Sequence, residues 1–441
     1  MSVDIRRIEP SEIPAFVASV EIPFLDPGND DHLEFWARTV EPARTWVAVD
    51  DGRFVGNAAV LTRDVTVPGP DGRPCPTVPL AAVTAVGVHA THRRHGILRR
   101  LMTEMLDDGR RRGEPAAGLL ASEAAIYGRF GFGQATAAAT VVVGTGQSRF
   151  AIDAPRLDLR IVDVDEAAKV LPDLFDRLRR NRAGQVDRPE GTWASAFADR
   201  VRREDGGRGL IWVVGDKGFT SYRAHPVDNI DGFDQARLEV RDLMGATPDV
   251  EAGLWRYLLD IDLVTDVTAW RRAVDDPLRW RLSDPRQVCT RFYGDMLWLR
   301  PLDVAALLEA RSYSTPGQLV IHVMAPSAGG GGPTDAVGTG AGPTDAVGTG
   351  PGSDHPGDDD VVAGRWSVEA GPDGVSVRRV RPGQAADLHL GVAELGALYL
   401  GGVGATTLAS AGRLVEERPG AIRLADRLFA ATPSPLSSTG F

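Results

Sequence analysis

The stretch "AVGVHATHRRHGILRRLM", residues 85–102, decides how the first third of the chain folds. Residues 80–88 form an apolar, β-rich run that leads into it, and a second apolar run, 116–121, follows it. From Ile97 onward the apolar positions fall on one face of a helix: 97, 98, 101, 102, 105 and 106. A strand, a turn, a helix and a strand make a crossover unit, whose right-handed form puts the turn at the carboxyl end of the first strand.

The turn of this unit has the composition of an anion site. Gly96 stands between the strand and the helix, with Arg93 and Arg94 before it and Arg99 and Arg100 after it. Backbone amides at a helix N-terminus bind anions, and a glycine lets a pyrophosphate approach closely. On spacing alone, an arginine-rich solvated surface remains the alternative. The sequence lacks GxxxxGK[ST] and lacks GxGxxG with a following acidic residue, which argues against a nucleotide-hydrolysing P-loop and a dehydrogenase.

A metal site is not expected near this turn. His89, His92 and His95 are spaced three residues apart, but the run crosses from a strand into a turn. It carries neither an HExxH motif nor paired carboxylates. We therefore predict no metal cofactor.

The stretch "SEAAIYGRFGFG", residues 122–133, places one tyrosine, Tyr127, among small residues. Taken alone, the phenol is expected to bury its ring in a core. One crossover after an anion-binding turn, it can instead lie beside a cleft. The glycines that follow Tyr127 predict a turn into the next strand, which would leave the hydroxyl near that cleft.

Composition limits the classes of protein that this chain can represent. It has 441 residues, which favours about two to four domains. Against 49 Lys and Arg it has 60 Asp and Glu, a net charge of -11. That balance argues against nucleic-acid binding and favours attraction of cationic small molecules or basic protein segments.

Three features predict a cytoplasmic protein. Two distant cysteines, Cys75 and Cys289, cannot form a disulfide framework. The first residues, "MSVDIRRIEPSEIPAF", lack the apolar region of a signal peptide. The most apolar long window, 388–412, contains Glu394 and several glycines, so no membrane span is expected.

The middle of the chain repeats the pattern of the first part. A strand at 236–243 and a helix at 249–259 are joined by "MGATP", residues 244–248, which has no counterpart of Arg94 and Gly96. After Leu302 the pattern changes, and GPTDAVGTG occurs twice within a Gly/Pro/Asp-rich stretch, about 326–360, that we expect to be a disordered insertion. We predict domains at 1–150, 151–300 and 301–441, the second a degenerate copy of the first.

The segment Arg93–Leu98 resembles the acetyl-CoA pyrophosphate loop [QR]-x-x-G-x-[GA] of the GNAT acetyltransferases, departing from it at Leu98. Together with "ASEAAIYGRFGFGQAT", the longer match resembles the actinobacterial Eis family of N-acetyltransferases. The resemblance implies an α/β (α+β) fold with two tandem GNAT-like domains, the second degenerate. A sterol-carrier-protein-like α+β domain follows them, and the insertion has no counterpart in the family pattern.

The resemblance also implies which residues bind acetyl-CoA as co-substrate. Strand residues would offer backbone groups to the pantetheine arm, the arginine-rich turn would cradle the pyrophosphate, and two residues would lie near the thioester. In that order the implied residues are Val86, Gly87 and Val88; Arg93, Arg94, His95, Gly96, Ile97, Leu98 and Arg99; and Ser122 and Glu123.

In the family pattern, the tyrosine equivalent to Tyr127 donates a proton and the carboxylate of the last residue, here Phe441, accepts one. The chemistry suits both groups, because an alkylamine with a pKa of about 10.4 must lose a proton and a departing thiolate must gain one. Without the resemblance, the tail "SPLSSTGF" would be a frayed end. With it, the tail must thread back to the first domain. The family usually has a more polar residue at the position of Gly440.

The acceptor site is expected in the early helical region of residues 12–40, which borders the acceptor cleft in GNAT folds. Asp26 could pair with a cationic amine, and Phe35 and Trp36 could form an aromatic wall. Core packing of Trp36 and a surface-cap role for Asp26 are equally compatible with the sequence. The implied acceptors are aminoglycoside-like or polyamine-like amines or lysine side chains.

Two further expectations concern the whole chain. The resemblance implies a homohexamer built as a trimer of dimers. The alternative function is a non-catalytic lipid- or sterol-binding protein that uses its C-terminal domain. An intact Arg94 and Gly96 turn argues against this alternative, because a relic acetyltransferase domain should have lost it.

Overall fold

The computed structural model describes residues 3–25, 30–198, 209–227, 235–326, 362–371, 374–381 and 383–441. Apart from residue 326, the predicted insertion at 326–360 lies outside these ranges. The described residues form three mixed β-sheets together with helices, which is the α/β (α+β) class that was expected.

The strands are numbered along the chain. They are β1 (Asp4–Arg7), β2 (Thr45–Asp50), β3 (Arg53–Thr66), β4 (Thr77–Val88), β5 (Ala116–Leu120), β6 (Gly133–Gln134), β7 (Ala137–Gly144), β8 (Arg160–Val162), β9 (Ile211–Gly215), β10 (Gly218–Val227), β11 (Gln235–Gly245), β12 (Val264–Arg272), β13 (Val288–Asp295), β14 (Leu297–Pro301), β15 (Gly317–Met324), β16 (Gly364–Gly371), β17 (Gly374–Arg379), β18 (Leu388–Gly391) and β19 (Leu414–Glu416).

The α-helices are numbered in the same way. They are α1 (Ile13–Phe24), α2 (Asp30–Thr39), α3 (Ile97–Arg111), α4 (Ala124–Tyr127), α5 (Val164–Arg179), α6 (Glu190–Ala198), α7 (Pro248–Leu259), α8 (Leu278–Arg281), α9 (Val304–Ala310), α10 (Val392–Tyr399), α11 (Ala405–Ser410) and α12 (Ala421–Phe429). Short 3-10 helices occur at Pro10–Glu12, Pro42–Arg44, Ala90–His92, Gly128–Phe130 and Pro285–Gln287.

The first sheet has the strand order β1-β2-β3-β4-β5-β14-β6. Strands β4 and β5 are parallel, as the crossover pattern predicts, but they pair only from Leu80 opposite Ala116 to Ala82 opposite Gly118. Beyond Ala82 the backbone of β4 pairs only with β3, so that the two parallel strands part. This opening at the carboxyl end of β4 faces the start of α3.

A buried ion pair fixes α3 against the first sheet. The Arg44 guanidinium donates to Glu114 through both Nη atoms, over 2.8 and 2.7 Å, and through Nε to Asp108 over 2.9 Å. Arg44 is 1% exposed, and Asp108 lies near the end of α3. Buried charges are tolerated only when they are paired, so this cluster holds the helix in one orientation relative to β5.

The second sheet has the order β13-β7-β12-β11-β10-β9-β8, and its parallel pair β11 and β12 brackets α7. The two sheets exchange strands near the predicted boundaries. Residues 137–144 join the second sheet as β7, whereas β14 lies between β5 and β6 in the first. The boundaries at 150 and 300 remain predictions, and the exchange makes the two sheets interdependent.

The third sheet has the order β17-β16-β15-β18-β19. Its helix α10 is buried and packs directly on the first sheet: a Cβ on Gly133 would fall 1.7 Å from the carbonyl oxygen of Ala393. One apolar core extends from Leu61 and Leu80 of the first sheet to Leu388 of the third sheet and Tyr399 of α10. The third domain is therefore joined to the first through a shared core.

The chain ends in an extended tail after α12. Its residues contact the segment 182–188, where the Leu436 amide donates to the Ala183 oxygen over 2.9 Å. The same segment borders β3, because the Thr66 amide donates to the Gln185 oxygen over 2.9 Å. The tail is thus held at the junction of the first two sheets.

Candidate active site

A cavity of about 820 Å³ opens where β4 and β5 part. Its walls come from the end of α1, the carboxyl end of β4, the turn before α3, the first turns of α3 and the segment around α4. Its volume lies within the range of about 300–1,000 Å³ that is usual for ligand pockets.

The cavity gathers most of the residues that the sequence predicted for the cofactor. All of them line it except His95, which is exposed: Val86, Gly87, Val88, Arg93, Arg94, Gly96, Ile97, Leu98, Arg99, Ser122 and Glu123. The Nδ1 atom of His95 lies instead 3.3 Å from the His92 oxygen.

The turn before α3 requires glycine at its last position. Gly96 has φ 73° and precedes the first residue of α3, Ile97. Arg94 also has a positive φ, of 66°. A Cβ on Gly96 would meet no atom of the protein within 4 Å, and Gly96 lines the cavity. The free amides of the first turn of α3 face the same space, and anions bind at such a helix start.

Tyr127 ends the short helix α4 and lines the cavity while its side chain is mostly buried. Burial raises the pKa of its phenol above the usual value, and repulsion from the Glu123 carboxylate acts in the same direction. A hydrogen bond with the Ser122 side chain lowers the pKa and only partly offsets the burial. The hydroxyl therefore keeps its proton at neutral pH, as a proton donor must.

The three histidines near the turn have separate partners. His89 Nε2 lies 3.4 Å from the Ser19 oxygen, and His92 Nε2 lies 3.1 Å from Asp50 Oδ2. Within the described ranges no group of three or more His, Cys, Asp or Glu side chains is arranged to hold a metal ion.

Of the predicted acceptor residues, Phe35 and Trp36 do not line the described cavity. Asp26 falls outside the described residues. The ring of Trp36 packs edge to face on Phe16, with centroids 5.9 Å apart, and on Phe35, with centroids 5.3 Å apart. Trp36 is half-buried against the core under α1 and α2. Core packing explains this position, and an acceptor contact for Phe35 or Trp36 stays a prediction.

Phe441 belongs to the structured part of the chain. Its ring packs against the core shared by the first and third sheets, and it does not line the described cavity. Within the described residues its carboxylate makes no ion pair. The preceding residues are held by side chains of the second domain: Arg188 Nε donates to Thr439 Oγ1 over 3.2 Å, and the Ser438 hydroxyl donates to Gln185 Oε1 over 2.8 Å.

Sequence reasoning missed part of the cavity wall. The missed residues are Pro23, Phe24, Leu25, His92, Met102, Thr103, Leu106, Ile126, Arg129, Phe130, Arg300 and Pro326. Met102 and Leu106 lie on the apolar face of the predicted helix, which could have indicated them. Arg300 could not be found in this way, since β14 reaches the site only through the strand exchange. Arg300 Nη1 donates to the Phe130 oxygen, three residues after Tyr127.

Comparison with known families agrees with this geometry. Residues 4–135 and residues 184–301 each match a family described as an acetyltransferase (GNAT) domain, and residues 358–437 match a sterol carrier protein domain. The chain is thus an N-acetyltransferase of the GNAT class, with two GNAT domains followed by a sterol-carrier-like domain.

Relatives of similar length narrow this class. An uncharacterized N-acetyltransferase of Streptomyces avermitilis is 34% identical, over 93% of this chain and 92% of its own length. The N-acetyltransferase Eis of Mycobacterium tuberculosis is 30% identical, over 89% of each chain. The crystal structure of Eis1 from Mycobacterium abscessus superposes with a TM-score of 0.81 at 30% identity and covers 99% of this chain and 100% of its own. The chain belongs to the Eis family of N-acetyltransferases.

No described helix is both long and apolar enough to cross a membrane.

Proposed function

We propose that this enzyme transfers the acetyl group of acetyl-CoA directly to an amine of a cationic small molecule, aminoglycoside-like or polyamine-like, or of a lysine side chain. Tyr127 is the proton donor and the Phe441 carboxylate is the proton acceptor. The observation that carries the proposal is the shared cavity of the Tyr127 phenol, the start of α3 and the end of β4, which GNAT domains use for acetyl-CoA.

The residues present fit acetyl-CoA. Arg93, Arg94 and Arg99 supply positive charge beside the free amides of α3, which suits a pyrophosphate. Past Ala82, β4 is unpaired on the side of β5, so Val86 and Val88 can offer backbone groups to the pantetheine arm. Ser122 and Glu123 line the same cavity close in sequence to Tyr127, which suits a position near the thioester.

The transfer needs two proton movements. The neutral amine nitrogen forms a bond to the acetyl carbon, the carbon–sulfur bond breaks, and its electron pair stays on sulfur. The Tyr127 hydroxyl donates its proton to this thiolate and later regains one from water. The proton lost by the amine passes to the Phe441 carboxylate, directly or through a water molecule. The proposed mechanism requires each group to come within hydrogen-bond reach of its partner in the reacting complex.

The course of the tail supports Phe441 as the base. Successive tail contacts follow the segment 183–188 in the same direction, from Leu436 beside Ala183 to Thr439 beside Val186. That segment runs antiparallel to β3, with Val186 opposite Val65 and Asp187 opposite Asp64. The tail therefore heads along β3 from Val65 toward its first residues, which pair with the cavity-lining end of β4.

An amine panel tests the proposal. The full chain is incubated with acetyl-CoA and aminoglycosides, polyamines, lysine or lysine-containing peptides, and thiol release is measured. We expect release that depends on the amine, with the acetylated amine identified by mass spectrometry. Absence of amine-dependent release across the panel, with acetyl-CoA binding shown by calorimetry, would refute the proposed reaction.

We also propose that the enzyme works in the cytoplasm as a homohexamer built as a trimer of dimers. The family resemblance supports the assembly, and the sparse cysteines support the compartment. Light scattering behind size-exclusion chromatography tests the hexamer, and a monomer or dimer at micromolar concentration would contradict it.

One helix of the third domain, α10, is not available to line a lipid site. Leu395 and Tyr399 of α10 are fully buried in the core shared with the first sheet. The apolar surface of this helix is therefore used to join the domains.

A further inference from the structure

The residue before the terminal Phe441 has no side chain, and an arginine lies beside it. A Cβ built on Gly440 would lie 3.2 Å from Nη2 and 3.4 Å from Nη1 of Arg271. Arg271 Nη1 also donates to the Ser438 oxygen over 3.0 Å. A guanidinium therefore stands where a side chain at position 440 would project.

The backbone of β12 directs Arg271 to this place. The register of β12 against β7 shifts between Ala269 and Arg272, and Arg271 has φ 51°. A bulge of this kind re-aims a side chain, and a non-glycine residue at positive φ is uncommon. The adjacent Arg272 points instead into the core, where Glu251 and Asp276 pair with it at 2.9 and 2.8 Å.

The acidic side chains in the neighbourhood of Arg271 form ion pairs with other cations. Asp242 is the nearby acid, but it pairs with Arg188 at 2.7 Å. Glu239 pairs with Arg241 at 3.0 Å and with His225 at 2.9 Å. No described carboxylate forms an ion pair with Arg271.

Arg271 is also accessible to a ligand. The residue is exposed, yet its surroundings desolvate it enough to lower its pKa, and repulsion from Arg188 adds to this effect. A guanidinium in such a position binds a carboxylate strongly, because the two groups match in charge and geometry.

We propose that Arg271 binds a carboxylate of the acceptor, so that the acceptors of this enzyme carry a carboxylate as well as the amine that is acetylated. The inference rests on the proposed function, because it takes the Phe441 carboxylate as the group that receives the proton of the amine. The Arg271 guanidinium then binds the carboxylate of the acceptor, and the Phe441 carboxylate faces the amine of the same molecule. Of the acceptors proposed above, this favours lysine and peptides, which carry a carboxylate, over polyamines and aminoglycosides, which carry none.

Matched acceptors test this directly. L-lysine and cadaverine differ only in the carboxylate, as do L-ornithine and putrescine. Thiol release from saturating acetyl-CoA gives kcat and KM for each acceptor with the full-length enzyme. We expect kcat/KM to be about tenfold to 100-fold higher for the carboxylated member of each pair, the size expected for hydrogen bonds to a charged group.

Variants separate binding from support of the tail. Arg271→Leu should raise KM for L-lysine by about tenfold or more and leave the constants for cadaverine within about twofold. Arg271→Gln, which can still donate to the Ser438 oxygen, should show the same selective loss and serves if the leucine variant does not fold. Arg241→Leu, which removes a neighbouring positive charge that Glu239 already pairs, is the matched control and should keep the preference.

Three outcomes decide the matter. A selective loss for the carboxylated acceptors supports the inference. An equal fall in kcat for both members of a pair in the Arg271 variants would show that Arg271 only holds the tail. Equal use of L-lysine and cadaverine by the native enzyme would show that no carboxylate is recognised. Either result overturns the inference and leaves the proposed acetyl transfer intact. Failure of every amine to release thiol would contradict the proposed function itself.

Discussion

The rings of Tyr127 and Phe132 meet edge to face, with centroids 6.2 Å apart. The same two residues are joined through the backbone, because the Phe132 amide donates to the Tyr127 oxygen over 3.2 Å. Ring packing and the backbone together set the orientation of the phenol. The hydroxyl can therefore be removed without moving the ring.

Tyr127→Phe should lower kcat by about 100-fold or more, the contribution of a positioned general acid. The affinity for acetyl-CoA should stay within about twofold, because the ring keeps its packing; calorimetry measures the affinity and thiol release measures kcat. Tyr257→Phe, which removes a phenol 3.1 Å from the Tyr222 hydroxyl in the second domain, is the control and should keep full turnover. Unchanged turnover in Tyr127→Phe would remove this residue from the mechanism.

Extension of the chain beyond Phe441 should impair catalysis. A short Gly-Ser tag converts the terminal carboxylate into an amide, which cannot accept a proton, and we expect kcat to fall by about 100-fold or more. The same tag at the N-terminus is the control. A C-terminally tagged enzyme with full kcat would rule out the carboxylate as the base.

Gly96→Ala should weaken acetyl-CoA binding by about tenfold, or about 1.4 kcal/mol, because the added Cβ enters the space in front of the first amides of α3. Gly113→Ala is a matched control: Gly113 has φ 72°, Gly96 has φ 73°, and neither would place a Cβ within 4 Å of another atom. Both substitutions should cost about 1–2 kcal/mol of stability through backbone strain. Calorimetry and urea unfolding separate the two effects, and equal acetyl-CoA affinity in both variants would refute an anion site at Gly96.

Arg44→Met should lower the free energy of unfolding by about 3–5 kcal/mol, because it leaves the Glu114 carboxylate buried without its cation, while Asp108 keeps its ion pairs with Arg7 and Arg112. Arg111→Met is the control, since Arg111 lies 4.0 Å from Asp108 with a side chain that is 59% exposed, and it should cost at most about 1 kcal/mol. Urea unfolding measures both variants. Similar midpoints for the two would mean that the buried pair does not hold α3.

Much of the candidate site could be predicted from one local unit. The apolar spacing from Ile97 predicted the helix that the structure forms as α3, and the glycine-bearing turn predicted the start of that helix. These features depend on residues close in sequence, so periodicity and turn chemistry were enough. The surroundings of the tail could not be predicted in this way, because Arg271 and Ser438 meet across 167 residues.

The sequence by itself determined the family, the crossover unit with its arginine-rich turn, and the kinds of group that acetyl transfer requires. The tertiary structure alone decided where strands β7 and β14 pair, how α10 packs on the first sheet, and which residues surround the tail. Local patterns record the preferences of neighbouring residues, whereas these contacts join distant segments through burial and charge pairing. The guanidinium of Arg271 lies beside Gly440 only in the folded chain, because a bulge in β12 turns Arg271 toward the tail.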